Sequence, residues 1–235
     1  MRLVYDTTRR FGKRPHYDPI ELDRECEDII RAHLEKQNGE ITYPIGNDDL
    51  WALIESVTDD VDLADLSAWG EEVHGLTEFK SNGRPHVKIA RELTEDEWRG
   101  NRLRTTITHE FGHVRFHGFL YALEMESERL FADMGRAGRD PVCKRDGILG
   151  ASRDWMEWQA VYVCGALLMP ANETRRLLGK ELGELPGPLQ RDDPRVARLA
   201  LAMTLHFGVS DEAARIRLIK LGHVVPTVGM LTLPA

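Results

Sequence analysis

The sequence predicts an α+β protein, mainly helical, with a small β-sheet and a helical C-terminal segment. Three observations carry this. Long stretches read as helices: 20–37 by the helical spacing of its apolar residues, 95–117 by a capping box at its start, and 154–170 by an apolar run that Pro170 ends. One stretch, 73–91, alternates around Ser81-Asn82-Gly83 as two paired strands do. The tail from 195 divides into two helical runs at Phe207-Gly208-Val209.

The chain has 235 residues, enough to bury a core as one large domain or a domain with an appendage. A hydrophobic content of 42% beside 30% charged residues is ordinary for a soluble globular protein. The formal net charge of -8 argues against a surface that grips nucleic acid all round, though it leaves room for a local basic patch. Cys26, Cys143 and Cys164 form no CxxC pair, which fits a reducing compartment. No apolar run suits a signal peptide or a membrane span. A cytoplasmic protein without membrane partners is expected.

Residues 1–18 read as a basic, solvated arm. Asp18-Pro19 opens a helix that Asn38-Gly39 stops. Asn47 can cap a second helix, with Leu50, Trp51, Leu53, Ile54 and Val57 on its buried side. The acidic passage 59–72 has six carboxylates without calcium-loop spacing, and a solvated, turn-rich surface is expected there. In the hairpin, Val87 and Ile89 share a face, and the edge of that strand could add an extended peptide as a further strand.

Thr94 and Glu97 form a capping box for a helix from Glu95 through residue 117, with Gly118 as its expected end. Residues 119–153 read as an insertion of helix plus loop. Residues 154–170 form an apolar helix ended by Pro170. The segmentation is therefore a basic arm (1–18), a main domain (19–178, containing the 119–153 insertion) and a helical C-terminal segment (179–235). Within the last, 195–222 resembles a helix-turn-helix made locally basic by Arg195, Arg198, Arg215, Arg217 and Lys220.

The chemistry is concentrated in TTITHEFGHVRFH. On a helix, His109 and His113 lie on one face and can point at one metal ion, while Glu110 can reach a water there without taking a ligand position. A catalytic zinc usually has three protein ligands and an open position. His117 cannot complete the set, because the eight residues separating it from His109 rise about 12 Å against metal–nitrogen bonds of about 2 Å. A packing or supporting role is expected for it. Glu157 is the stronger candidate: it lies 44 residues after His113, in an apolar helix where a carboxylate is costly unless paired or metal-bound.

HEFGH followed by EWQAVYVCGALLMP resembles the paired HELGH and ExEANxFAxxLLMP motifs of the ImmA/IrrE metallopeptidases. The resemblance covers roughly residues 40–222, with a diverged insertion at 119–153. It implies a gluzincin-like fold and a Zn2+ ion, with Mn2+ as an alternative, held by His109, His113 and Glu157. It also implies endopeptidase activity on a protein substrate, a helix-turn-helix repressor encoded nearby, in a stress or mobile-element response. Glu110 would act as general base, and Tyr162 and His117 are the candidates for supporting the oxyanion. One departure stands out. The family usually has Asn or Asp where this chain has Val161, which cannot orient a ligating histidine. The competing expectation is a regulatory module, non-catalytic or weakly catalytic, that binds DNA or a partner protein through the C-terminal helices.

Overall fold

The computed structural model describes residues 1–80, 84–95, 99–130, 142–144, 154–183 and 187–225. The chain is a mixed α+β protein, mostly helical, with a small sheet. Its contacts divide it into two compact units: Met1–His16 with Leu50–Val161, and Tyr17–Asp49 with Tyr162–Ala235. Each unit draws on two separate stretches of chain, whereas the segmentation expected from the sequence was linear. Among the described residues no helix is long and apolar enough to cross a membrane.

The first unit begins with a hairpin where a solvated arm was expected. Strands β1 (Arg2–Tyr5) and β2 (Lys13–His16) pair antiparallel. The turn is organised by Asp6, whose carboxylate accepts from the backbone N–H groups of Thr8, Arg10 and Phe11. Burial alone would raise the Asp6 carboxyl, but these donors hold it below its usual value. The basic residues also have partners: the Arg14 guanidinium lies 5.0 Å from the ring centre of Trp155, and Arg10 pairs with Asp154 at 3.0 Å.

The sheet of this unit has the order β3-β5-β4-β6, from Asp60–Ala64, His86–Ala90, Gly75–Glu78 and Val142–Lys144 respectively. Strands β4 and β5 form the expected antiparallel pair; the turn residues 81–83 lie outside the described residues. Two features depart from expectation. The acidic passage contributes β3, parallel to β5, because Val61 and Leu63 alternate with its carboxylates and its charges suit an outer strand. That places β5 between β3 and β4, so the edge imagined for a peptide on Val87 and Ile89 is already paired. The 119–153 region, expected as helix plus loop, also holds β6, which pairs antiparallel with β4.

Helix α1 (Pro19–Asn38) follows the expected bounds, with Gly39 in the left-handed conformation at its end. Helix α2 (Asn47–Glu55) buries Leu50, Leu53 and Ile54. A short helix α3 (Glu92–Glu95) then precedes α4 (Gly100–Leu130). The expected capping box does not start the long helix. The Thr94 hydroxyl donates instead to the carbonyl of Arg91, and Glu97 lies outside the described residues. Nor does Gly118 end it. A Cβ there would make only ordinary contacts with Pro85 and Phe79, at 3.6 and 3.8 Å. Beyond it, Leu120, Tyr121 and Met125 join Phe79, Trp155 and Met156 in a buried cluster.

The second unit holds α1, the later part of α5 (Trp155–Leu168), α6 (Ala171–Leu182), α7 (Pro194–Phe207) and α8 (Asp211–Lys220). Gly208, at φ 62°, ends α7, and the Ser210 side chain caps α8 by accepting from the Ala213 N–H. The basic residues of this helix pair are largely committed to carboxylates. Arg195 pairs with Asp193, Arg198 with Glu181 and Arg215 with Asp211. Arg217 is buried, ion-paired with Asp23 at 2.8 Å, and its Nε donates to the Met169 carbonyl at 3.0 Å.

Lys220 completes that group, with its ammonium 4.9 Å from the ring centre of Tyr162. Burial, reinforced by Arg217, pushes its pKa down to about 8. The unfolded chain, with an ordinary lysine near 10.4, then binds more protons between about pH 8 and 10.4, so stability should rise with pH across that window. Denaturant melts over this range should show the rise in the native chain and its loss in Lys220→Met.

Candidate metal centre

Helix α4 places His109, His113 and His117 one turn apart on one buried face. Opposite them, the first turn of α5 presents Glu157. Glycine allows the approach. A Cβ at Gly112 would lie 3.0 Å from the Cα of Ala160, so a side chain there would push the two helices apart. At the head of α5, Asp154 accepts from the Met156 N–H, and Trp155 is buried edge-on against the His117 ring at 5.3 Å.

The three expected ligands converge. His109 Nε2 and His113 Nε2 are 3.1 Å apart, Glu157 Oε2 is 3.2 Å from His109 Nε2, and Glu157 Oε1 is 3.1 Å from His113 Nε2. Glu157 meets each histidine with a different oxygen, so the histidine pair is the ligand–ligand edge to set against a tetrahedral ion. Bonds of about 2.0–2.1 Å give ligand–ligand edges of about 3.3 Å. The donor set, two imidazoles and one carboxylate, is also one that zinc accepts.

The electrostatics fit the same picture. Burial would raise the Glu157 carboxyl, but the imidazoles of His113 and His109 hold it far below the usual range. Burial would likewise lower His113; the carboxylate of Glu157 outweighs this and raises it. The cluster therefore keeps a negative group facing two imidazole nitrogens at a buried point, which is where a cation gains most.

Glu110 is held from the sheet side. The Thr77 hydroxyl donates to its Oε2 at 2.6 Å, and both groups are buried. Gly75 leaves the carboxylate its space: a Cβ there would fall 2.3 Å from Glu110 Oε1. Strand β4 thus lies directly against this glutamate.

The supporting candidates separate. His117 belongs to the site, its Nδ1 lying 3.2 Å from His113 Nδ1 and its Nε2 3.0 Å from Gln159 Oε1. Burial, with His113 beside it, pushes its pKa well below the ordinary value. The hydroxyl of Tyr162 donates to Asp23 Oδ2 at 3.0 Å, within the packing of the second unit, so an oxyanion role for it has no support. On the side of His113 away from Glu157, Nδ1 faces His117. Thr77, Gly75 and Gln159 were not anticipated: Thr77 and Gly75 look like ordinary strand residues, and Gln159 like an ordinary helix residue. A second cluster, Asp60, Asp62 and His86, lies on β3 and β5. There His86 Nε2 already bonds Asp62 at 2.8 Å. Compared with known proteins, the chain matches no family model and no curated protein.

Proposed function

We propose that the chain is a zinc-dependent endopeptidase. The observation that carries this reading is the convergence of His109, His113 and Glu157 within reach of one ion, with Glu110 held beside them by Thr77. Its motifs suggest the ImmA/IrrE type, with a gluzincin-like arrangement of helices around the sheet. The substrate proposed on that resemblance is a helix-turn-helix repressor encoded nearby. DNA binding through α7 and α8 is disfavoured by the carboxylate pairing of Arg195, Arg198, Arg215 and Arg217.

When bound, zinc would supply Lewis acidity to a water and to the scissile carbonyl; manganese suits the same donors. The protein's part is positional and protonic. His109 and His113, both buried, and the half-buried Glu157 would hold the ion. Glu110 is a carboxylate that takes no ligand place, and it can accept a proton at one oxygen and deliver it to the leaving amine. Thr77 bonds the other oxygen, which restricts the carboxylate to one orientation.

Incubation with the neighbouring repressor, in the presence of zinc or manganese, tests the reading. Cleavage by the native chain and not by Glu110→Gln is expected; equal cleavage by both, or by neither, contradicts it. Gly75→Ala makes a narrower test. The added methyl must displace Glu110. Misplacement of a reacting group by about 1 Å can cost about 100-fold in rate. A loss of that order is expected, with zinc content unchanged; an unaltered cleavage rate would show that Glu110 need not stay where Gly75 allows it.

A further inference from the structure

We propose that Gln159 is a positioning residue that, through His117, fixes the tautomer of His113. This rests on the metal reading above. The chain of contacts has four members, and its direction follows from the last. The backbone carbonyl of Pro15, on β2, can only accept a hydrogen bond. Gln159 Nε2 lies 3.2 Å from it and donates. This fixes the amide the other way round at its far end, where Gln159 Oε1 faces His117 Nε2 at 3.0 Å.

An amide oxygen only accepts, so His117 carries its proton on Nε2. In the neutral ring the lone pair is then on Nδ1, 3.2 Å from His113 Nδ1. His113 must supply the proton of that bond. Its Nδ1–H is thereby fixed, and its lone pair is left on Nε2, the atom that faces His109 and Glu157. A metal ligand needs that lone pair. The reverse polarity would place a proton on His113 Nε2 and close the site. The first strand pair of the chain therefore reaches His113 through two side chains. A buried glutamine suits this place because it has a donor at one end and an acceptor at the other.

The test combines two measurements on the full chain. The first is the nitrogen–proton correlation pattern of the histidine rings by NMR in the metal-free native protein at mildly alkaline pH. It should show His117 protonated on Nε2 and not on Nδ1. The second is zinc affinity by competition with a chromogenic chelator. Gln159→Leu keeps the volume and removes both polar ends, and it should weaken zinc binding about 10- to 100-fold, as loss of such a supporting bond typically does. Gln159→Glu keeps the acceptor for His117 and should stay within a few-fold of the native chain. His117 protonated on Nδ1, or Gln159→Leu binding zinc as tightly as the native protein, would overturn the proposal. If the native chain and both variants alike took up no zinc, the metal reading itself would fall. That outcome is distinct, because the ring pattern still reports the direction of the chain.

Discussion

Replacing Glu110 by glutamine should lower peptide hydrolysis by about 100- to 10,000-fold, the usual contribution of a positioned general base or acid. The variant should lose almost nothing else. Glutamine keeps the volume that Gly75 accommodates, and its amide oxygen can still accept from Thr77. It cannot accept a proton and return it. The ligand atoms of His109, His113 and Glu157 are untouched, so zinc content and melting temperature should match the native chain. Single-turnover cleavage of the repressor, measured beside metal analysis of the same samples, checks both halves. A fall in activity accompanied by loss of metal would assign Glu110 a structural role instead.

The second large effect is on stability. The three ligands come from α4 and α5, elements brought together only in the folded chain. An unfolded chain presents no such site, so bound metal stabilises the fold by mass action. Free zinc at about 100 times its dissociation constant should add about 2.7 kcal/mol to the unfolding free energy. Glu157→Gln should remove most of that increment, because the charge that draws the cation to the two imidazoles is gone. Thermal melts with and without zinc, in native and variant proteins, give the comparison. An equal zinc-dependent rise in both would mean that the ion binds elsewhere, for example at Asp60, Asp62 and His86.

Much of this architecture is legible in the sequence wherever local chemistry decides. Asp18-Pro19 and Gly39 bound α1 because a proline inside the first turn and a left-handed glycine beyond the last are local requirements. The i,i+4 spacing of His109 and His113, and the cost of a carboxylate at Glu157 in an apolar helix, are likewise readable from the chain. What escaped is set by tertiary packing. Gly118 looks like a helix stop but lies inside α4, which runs on to bury Leu120, Tyr121 and Met125 against Phe79. Asp60 and Asp62 mask the strand character of Val61 and Leu63, which only a parallel partner brings out. The basic arm folds because Asp6 gathers three backbone donors and Trp155 receives Arg14. Gln159 has meaning only once Pro15 and His117 stand at its two ends, and no spacing rule links residues 15, 117 and 159.

The central claim is that His109, His113 and Glu157 hold one metal ion while Glu110 stands beside it without binding it. Metal analysis of the native chain, His113→Ala and Glu110→Gln, each purified with zinc and then dialysed, tests it most directly. The account predicts one zinc per chain in the native protein and in Glu110→Gln, and none in a folded His113→Ala. Zinc retained by folded His113→Ala, or absent from the native chain, would contradict it.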